Sequence, residues 1–288
     1  MTVPRTNVQP PPGHTPQFSL PATTFDDKDQ FHDHALNSIL NASHHREIVY
    51  TQVPPAWSAD VLKRLDEETE HRSPRKNYNP ATSTIWIRMS PTEIHDCHQS
   101  WVFHEMGLWL FTGLLTLDEF RYLSTRVGTT INFPSPGNPY TGAWKEPDLM
   151  IRTHNQRMPI FVFESCWPES LARLRDDMSL WLVGGKGIVI GTAILRWELI
   201  ANTDQVSGVA EVYSMDANGI PTRSQELTIF PTPPAQEAEK QAITFTRGML
   251  FGDAVAEGRN RDDVFDLNLN ALREDARRAL GFMGLVPA

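Results

Sequence analysis

The stretch EPDLMIRTHNQRMPIFVFES, Glu146 to Ser165, holds two short apolar runs with a carboxylate at the outer end of each. Asp148 opens the first run and Glu164 closes the second, with polar and turn-forming residues between them. Read as an antiparallel hairpin centred on Gln156, the runs place Asp148 and Glu164 opposite each other, with Cβ atoms about 5 Å apart. Side chains alternate along a strand, so Leu149 and Ile151, with Phe161 and Phe163, point to the other face and supply a core. Two facing carboxylates repel unless one is protonated or a positive charge lies between them. A hard divalent cation is the natural occupant, since Mg²⁺ favours one or two carboxylates plus water and phosphate oxygens.

Outward from this hairpin the chain reads as a core sheet with helices. TTINF, from Thr129, is a short strand before a Pro- and Gly-rich loop. Beyond the hairpin a helix opens at Pro168, carries Leu171, Leu174, Met178, Trp181 and Leu182 on one stripe, and stops at Gly184 and Gly185. GIVIGTAILRWEL, VSGVAEVYSM and SQELTIF read as further strands, with DANG as a turn. Strands interrupted by a helix in this order predict an α/β or α+β core. Upstream, Ser90, Pro91 and Glu93 read as cap, first-turn proline and N3 acid of a largely buried helix with Ile94, Trp101, Leu108 and Phe111 near helical spacing. Before it come a weak helix (FHDHALNSIL), a strand (EIVYTQV), a helix opened by Ser58, a polar loop (EHRSPRKNYNPATS) and a strand (TIWIRM). After the chain-breaking PTPPA, a helix with Leu269, Leu272, Ala276 and Leu280 closes the chain. The expected division is a flexible Pro-rich arm over 1–29, an N-terminal helical and strand elaboration over 30–90, a core over 91–230, and a linker with a packing helix over 231–288.

Composition narrows the function classes. Among 288 residues, 40% are apolar and 21% charged, the balance of an ordinary globular protein. The formal net charge of −9 leaves no general basic footprint for duplex nucleic acid, although a local basic groove is compatible with it. Two cysteines, Cys97 and Cys166, make no disulfide framework and point to a reducing compartment, hence an intracellular, cytoplasmic or nuclear protein. The Pro-rich start has no basic-then-apolar leader pattern. MGLWLFTGLL, from Met106, is far shorter than the ~20 apolar residues that cross a bilayer, so no membrane partner is expected.

The ordered set Pro147-Asp148, Glu164, Glu169-Ser170, Asp176 or Asp177, and Trp181-Leu182 resembles the PD-(D/E)XK superfamily, and within it a largely fungal group of unassigned function. The likeness runs from about Ile94 to Met215 and takes in the later MLFGD and LNLNALRED. It implies a restriction-endonuclease-like mixed sheet core flanked by helices. It also implies a metal-dependent phosphodiesterase acting on DNA or RNA, with Asp148 and Glu164 holding Mg²⁺ or Mn²⁺ to polarise the phosphate and activate water. The superfamily's lysine, two residues after the Glu, is here replaced by Cys166. Lys145 and Lys186 are the nearest lysines that could stand in for it, and Gln99 or Glu105 of the preceding helix could complete a metal site. Losing one electrostatic stabiliser costs about 10²–10³ in rate. The likeness therefore fits a slowed enzyme or a non-catalytic relative that keeps the scaffold for binding.

Other readings of the same residues stay open. Asp148 and Glu164 also fit strand-end acids paired with Arg152 or Arg173, and Glu146 fits a solvated neighbour or an assistant. Cys166 fits a nucleophile with a histidine, or a small buried hydrophobe. His95, Cys97 and His98 have zinc-like spacing without a second ligand pair. Arg173 and Arg175 fit phosphate contacts or partners of Asp176, Asp177 and Glu169. Trp101, Trp109, Trp144 and Trp167 suit either core packing or an aromatic cleft for a small-molecule ligand.

Overall fold

The computed structural model describes residues 18–42, 46–69, 74–89, 92–133, 138–167 and 170–288. Strands β1 (Phe18–Pro21), β2 (Arg46–Thr51), β3 (Arg75–Asn79) and β4 (Thr84–Met89) come first, with helices α1 (Lys28–Leu40) and α2 (Pro55–Glu68) among them. The long helix α3 (Glu93–Phe111), the short α4 (Leu117–Tyr122) and strands β5 (Leu123–Arg126), β6 (Ile131–Asn132) and β7 (Trp144–Lys145) follow. Next are β8 (Leu149–Thr153), β9 (Phe161–Cys166), helix α5 (Leu171–Gly184), and the long strands β10 (Gly191–Leu199), β11 (Gln205–Met215) and β12 (Pro221–Phe230). The chain closes with α6 (Ala235–Ala238), β13 (Ala242–Thr246), α7 (Arg247–Phe251), β14 (Val264–Asn268), α8 (Leu269–Phe282) and β15 (Val286–Pro287).

These strands make two mixed sheets and a small pair. The first sheet runs β1-β2-β4-β3-β7-β6, and the second β12-β11-β10-β9-β8-β5 with β15 beside β11. β13 pairs with β14 alone. β1 lies parallel to β2 and β9 parallel to β10, while β8 and β9 form the antiparallel hairpin. The fold is mixed α/β with flanking helices. Among the described residues, no helix is long and apolar enough to cross a membrane.

Period-two alternation decides what each sheet buries. On the first sheet Ile48, Tyr50, Tyr78, Ile85 and Ile87 pack with α1 and α2 around Phe31, Val61 and Leu65. The intervening residues, Val49 and Trp86, face the second sheet and join Met150, Val162, Ile194, Trp181 and Leu174 in a core shared by both sheets. On the far face of the second sheet Leu149, Ile151, Phe161 and Phe163 pack with Trp101 and the C-terminal elements. Phe230 and Leu272 belong to that same large core.

Several expectations need correction. Within the arm expected over 1–29, β1 pairs with β2 from Phe18 and α1 begins at Lys28, while residues 1–17 lie outside the described residues. Helix α2 begins at Pro55 rather than at Ser58, whose hydroxyl lies inside the first turn and donates to Pro55 O (3.0 Å). The polar loop expected around RKNYN contains β3, held between β4 and β7 by backbone pairing that needs no apolar side chains. Helix α3 begins at Glu93 with Thr92 as N-cap; the expected cap residues Ser90 and Pro91 lie outside the described residues, as does Pro168 before α5. Leu108 is 52% and Phe111 88% exposed, because both lie off the buried stripe of α3, which runs through Ile94, His98, Trp101, Glu105 and Trp109. The region after PTPPA carries α6, the β13–β14 pair and α7 as well as the expected closing helix.

Candidate functional site

The hairpin register is symmetric about Gln156: Leu149 lies across from Phe163, Met150 from Val162 and Ile151 from Phe161. Its continuation sets Asp148 across from Glu164, and both carboxylates are fully buried between the two sheets. What lies around them comes mainly from the first sheet. The alternation that turns Ile85 and Ile87 toward α1 and α2 turns Arg88 toward the hairpin, and Arg75 sits directly across from Arg88 in the β3–β4 register. Two guanidinium groups opposite each other in a sheet repel. Asp148 lies between them and relieves that repulsion.

Asp148 is saturated. Its Oδ1 accepts from Arg75 Nη1 and from Arg88 Nη2. Its Oδ2 accepts from the Ser165 backbone N–H at 2.8 Å and faces His95 Nε2 at 3.1 Å. Burial alone would raise the Asp148 carboxyl, but Arg88, His95 and Arg75 hold it well below the usual range. For His95, burial and then Arg88 oppose the charged ring; Asp148 and Asp96 outweigh them and raise its pKa. His95 Nε2 is shared between Arg88 Nη1 and Asp148 Oδ2, while its Nδ1 lies 2.9 Å from Asp96 Oδ1.

Glu164 has different company. Its Oε1 accepts from Trp181 Nε1 of α5 at 2.9 Å and lies 3.2 Å from Lys145 Nζ. Lys145, fully buried on β7, also lies 2.9 Å from Asp177 Oδ2. These Lys145 contacts are ion pairs without hydrogen-bond alignment, and Glu164 Oε2 has no partner among the described residues. Burial pushes the Glu164 carboxyl up, and Lys145 only partly offsets it because Asp148 and Asp177 push the same way. The Trp86 ring lies among the cations: Arg173 stands over it at 4.2 Å, Arg88 at 5.0 Å and Lys145 at 5.1 Å. The cluster lies between two clefts. One, of about 220 Å³, is lined by Asn77, Trp86, Arg173 and Asp177; the other, of about 700 Å³, by Arg75, Lys76, Arg88, Glu146 and Gly128.

The donor set does not fit a divalent ion bridging Asp148 and Glu164. Each Asp148 oxygen already meets two donors, and an ion on Oδ1 would have to displace a guanidinium. Glu164 offers one free oxygen. Among the described residues, no group of three or more His, Cys, Asp or Glu side chains is placed to hold a metal. His95 therefore serves Asp148 rather than a zinc site with Cys97. His98 is buried and uncharged, its pKa lowered to about 4 by burial, and its Nδ1 donates to His95 O (2.9 Å).

The other expected site residues fall in different places. Lys145, one of the two lysines considered for the missing motif position, is the one beside Glu164; Lys186 sits exposed in a turn. Cys166 lies in the core shared by the sheets, with burial pushing its thiol up, so no thiolate nucleophile forms there. Glu105 accepts from the Asn268 backbone N–H (3.2 Å), which anchors it to the C-terminal elements. Gln99 lines a surface cleft with Asp275 and Arg278 instead of the acidic pair. Arg173 lines the smaller cleft and pairs with Glu47 at 2.6 Å, whereas Arg175 turns to Glu211 at 3.2 Å. Arg152 is not a partner of either acid. Of the tryptophans, Trp101 and Trp109 donate to backbone carbonyls of Asn268 and Asp266, tying α3 to the C-terminal elements. Glu169 lies outside the described residues. The partners missed from sequence are Arg75 and Arg88, for which the available signal was an arginine alternating with core residues in TIWIRM.

No protein-family model matches this sequence, and no curated protein sequence matches it.

Proposed function

We propose that this chain is a nuclease-like module that binds nucleic acid without cleaving it. The observation that carries this reading is the closure of Asp148 by Arg75, Arg88, His95 and the Ser165 amide. A phosphodiesterase centre must present its metal-bound water to a phosphorus atom. Here Asp148, Glu164 and Lys145 are all fully buried, and protein cations stand where a metal would be needed. Support for nucleic acid as the ligand comes from the resemblance; the larger cleft beside the centre, lined by Arg75, Lys76 and Arg88 with Asp66, Glu67 and Glu146, is where a strand would approach it. A labelled oligonucleotide should shift in the presence of EDTA, and plasmid and single-stranded substrates should stay intact with Mg²⁺ or Mn²⁺. Metal-dependent cleavage that disappears in Asp148→Asn would overturn this reading.

One observation favours a second reading, a slow metal-dependent phosphodiesterase. Lys145 stands 3.2 Å from Glu164 Oε1, so an Asp, a Glu and a Lys are gathered in one place despite Cys166 at the motif position. That reading requires Arg75 and Arg88 to release Asp148, and the same cleavage assay decides it.

A further inference from the structure

Most of the chain's arginines have counter-charges: Arg173 has Glu47, Arg175 has Glu211, Arg223 has Glu226 and Arg278 has Asp275. Three do not. Arg126 on β5, Arg152 on β8 and Arg157 in the loop after β8 have no ion pair or hydrogen bond with any described residue. The β5–β8 register sets Ser124 across from Arg152 and Arg126 across from Met150, so these four side chains share one face. Arg126 and Arg152 are diagonal neighbours on it, about 7–8 Å apart at the backbone. Met158 packs on the same apolar cluster as Met150, which brings the preceding Arg157 toward that side. Burial, then the charges of Arg126 and Arg157, lowers the Arg152 guanidinium pKa, and no carboxylate acts on it. Between the crowded cations, the Ser124 hydroxyl is buried without a partner.

Like charges crowded on one face, with an unused hydroxyl among them, are stabilised by an oxyanion. Guanidinium forks match phosphate oxygens in planar, two-point contacts. β5 is the edge strand of the second sheet, and on this side Arg126 and Arg157 are exposed and Arg152 partly so. Just beyond Arg126, Val127 and Gly128 line the larger cleft together with Arg75 and Arg88. Arg152 lies four residues along β8 from Asp148, about 13 Å. We propose that Ser124, Arg126, Arg152 and Arg157 form a phosphate-binding track for a single nucleic-acid strand, laid along β5 toward the closed acidic centre. The track grips backbone and reads no base. It rests on the binding-module reading above and gives that reading a location.

The test is fluorescence anisotropy of a labelled single-stranded oligonucleotide, in EDTA and across a range of salt, with the full chain and with Arg126→Gln/Arg152→Gln. Lys63→Gln, on the exposed face of α2, is the control and should leave binding unchanged. The double variant should bind at least about tenfold more weakly. Its slope of log affinity against log salt should fall by about 1.4, since each phosphate contact on a single strand contributes ~0.7. Its urea midpoint should match or exceed that of the parent chain, because two crowded charges are gone, which separates lost contacts from lost folding. Unchanged affinity and slope, with the parent chain binding normally, overturns the track and leaves the binding-module reading standing. No binding by the parent chain overturns that reading and the track with it. Complete displacement of the oligonucleotide by millimolar inorganic phosphate makes the triad a free-anion site and overturns the strand assignment.

Discussion

Replacing Lys145 by Met tests whether the buried centre is held by charge balance. The thioether keeps the length and apolar stem of the side chain and removes the ammonium. In the structure that ammonium lies 3.2 Å from Glu164 Oε1 and 2.9 Å from Asp177 Oδ2. At an effective dielectric constant near 20, each contact corresponds to about 5–6 kcal/mol of Coulomb attraction. Most of that is cancelled by the desolvation of burying the ions. What the substitution exposes is the cost of leaving carboxylates buried without their cation, about 3–5 kcal/mol. With Lys145 gone, the Glu164 carboxyl, already raised by burial, rises further. The variant then binds a proton when folded that the unfolded chain lacks, so its deficit shrinks toward acid pH and widens toward alkaline pH. Urea unfolding followed by tryptophan fluorescence at about pH 5 and about pH 8 reads both effects. Adding Glu164→Gln to Lys145→Met should recover part of the loss, with a coupling of about 1–3 kcal/mol in the double-mutant cycle. Equal midpoints for parent and Lys145→Met, or strict additivity of the two substitutions, would refute the charge-balance account.

Three further outcomes are expected. Burial pushes the Glu146 carboxyl up to about 7 from its ordinary 4.5, so its contribution to stability is full below the lower value and lost as pH rises through the upper; Glu146→Gln should flatten the fall of the urea midpoint across that window, and an unchanged slope would refute the assignment. Mg²⁺ should leave the thermal midpoint of the parent chain where it is, whereas Arg75→Gln/Arg88→Gln frees Asp148 Oδ1 and should make the midpoint rise with Mg²⁺; a rise in the parent chain would show that the guanidinium groups yield to metal. Gly191→Ala would bring a Cβ 2.5 Å from the Phe161 ring and 3.2 Å from Tyr213 O, so a loss of about 1–3 kcal/mol is expected by chemical denaturation.

The hairpin was legible because its information is local. Alternation across Leu149 to Ile151 and Phe161 to Phe163 names the core face, and with the turn at Gln156 it fixes which residues lie opposite each other. The occupant of the space between the acids was not legible. Arg75 and Arg88 lie 73 and 60 residues before Asp148, and nothing local in either segment marks the pairing of two separate sheets. β3 adds a second difficulty. RKNYN has one apolar residue, yet every residue of the strand is buried. Its polar side chains find partners instead, as Lys76 does with Asp66 at 2.7 Å and Asn77 with the Glu146 backbone N–H at 2.8 Å. Burial of that kind leaves no hydrophobic trace. Along α3, apolar residues occur on more than one side, so the spacing of four of them does not identify which side is covered. Ile94, Trp101 and Trp109 lie on the covered side, while Phe111 projects into solvent. Gln99 and Glu105 were placed by that same spacing and face other neighbours.

The juxtaposition of Arg75 and Arg88 has a consequence for how the chain can be divided. One half of the molecule contributes an excess of positive charge to the seam and the other contributes the negative group that neutralises it, so neither is electrically complete alone. A fragment ending before the hairpin would expose adjacent guanidinium groups on a single ribbon and lose the apolar seal around Trp86. Cutting the chain just before the hairpin would therefore leave these two guanidinium groups of the first sheet without the carboxylate they share.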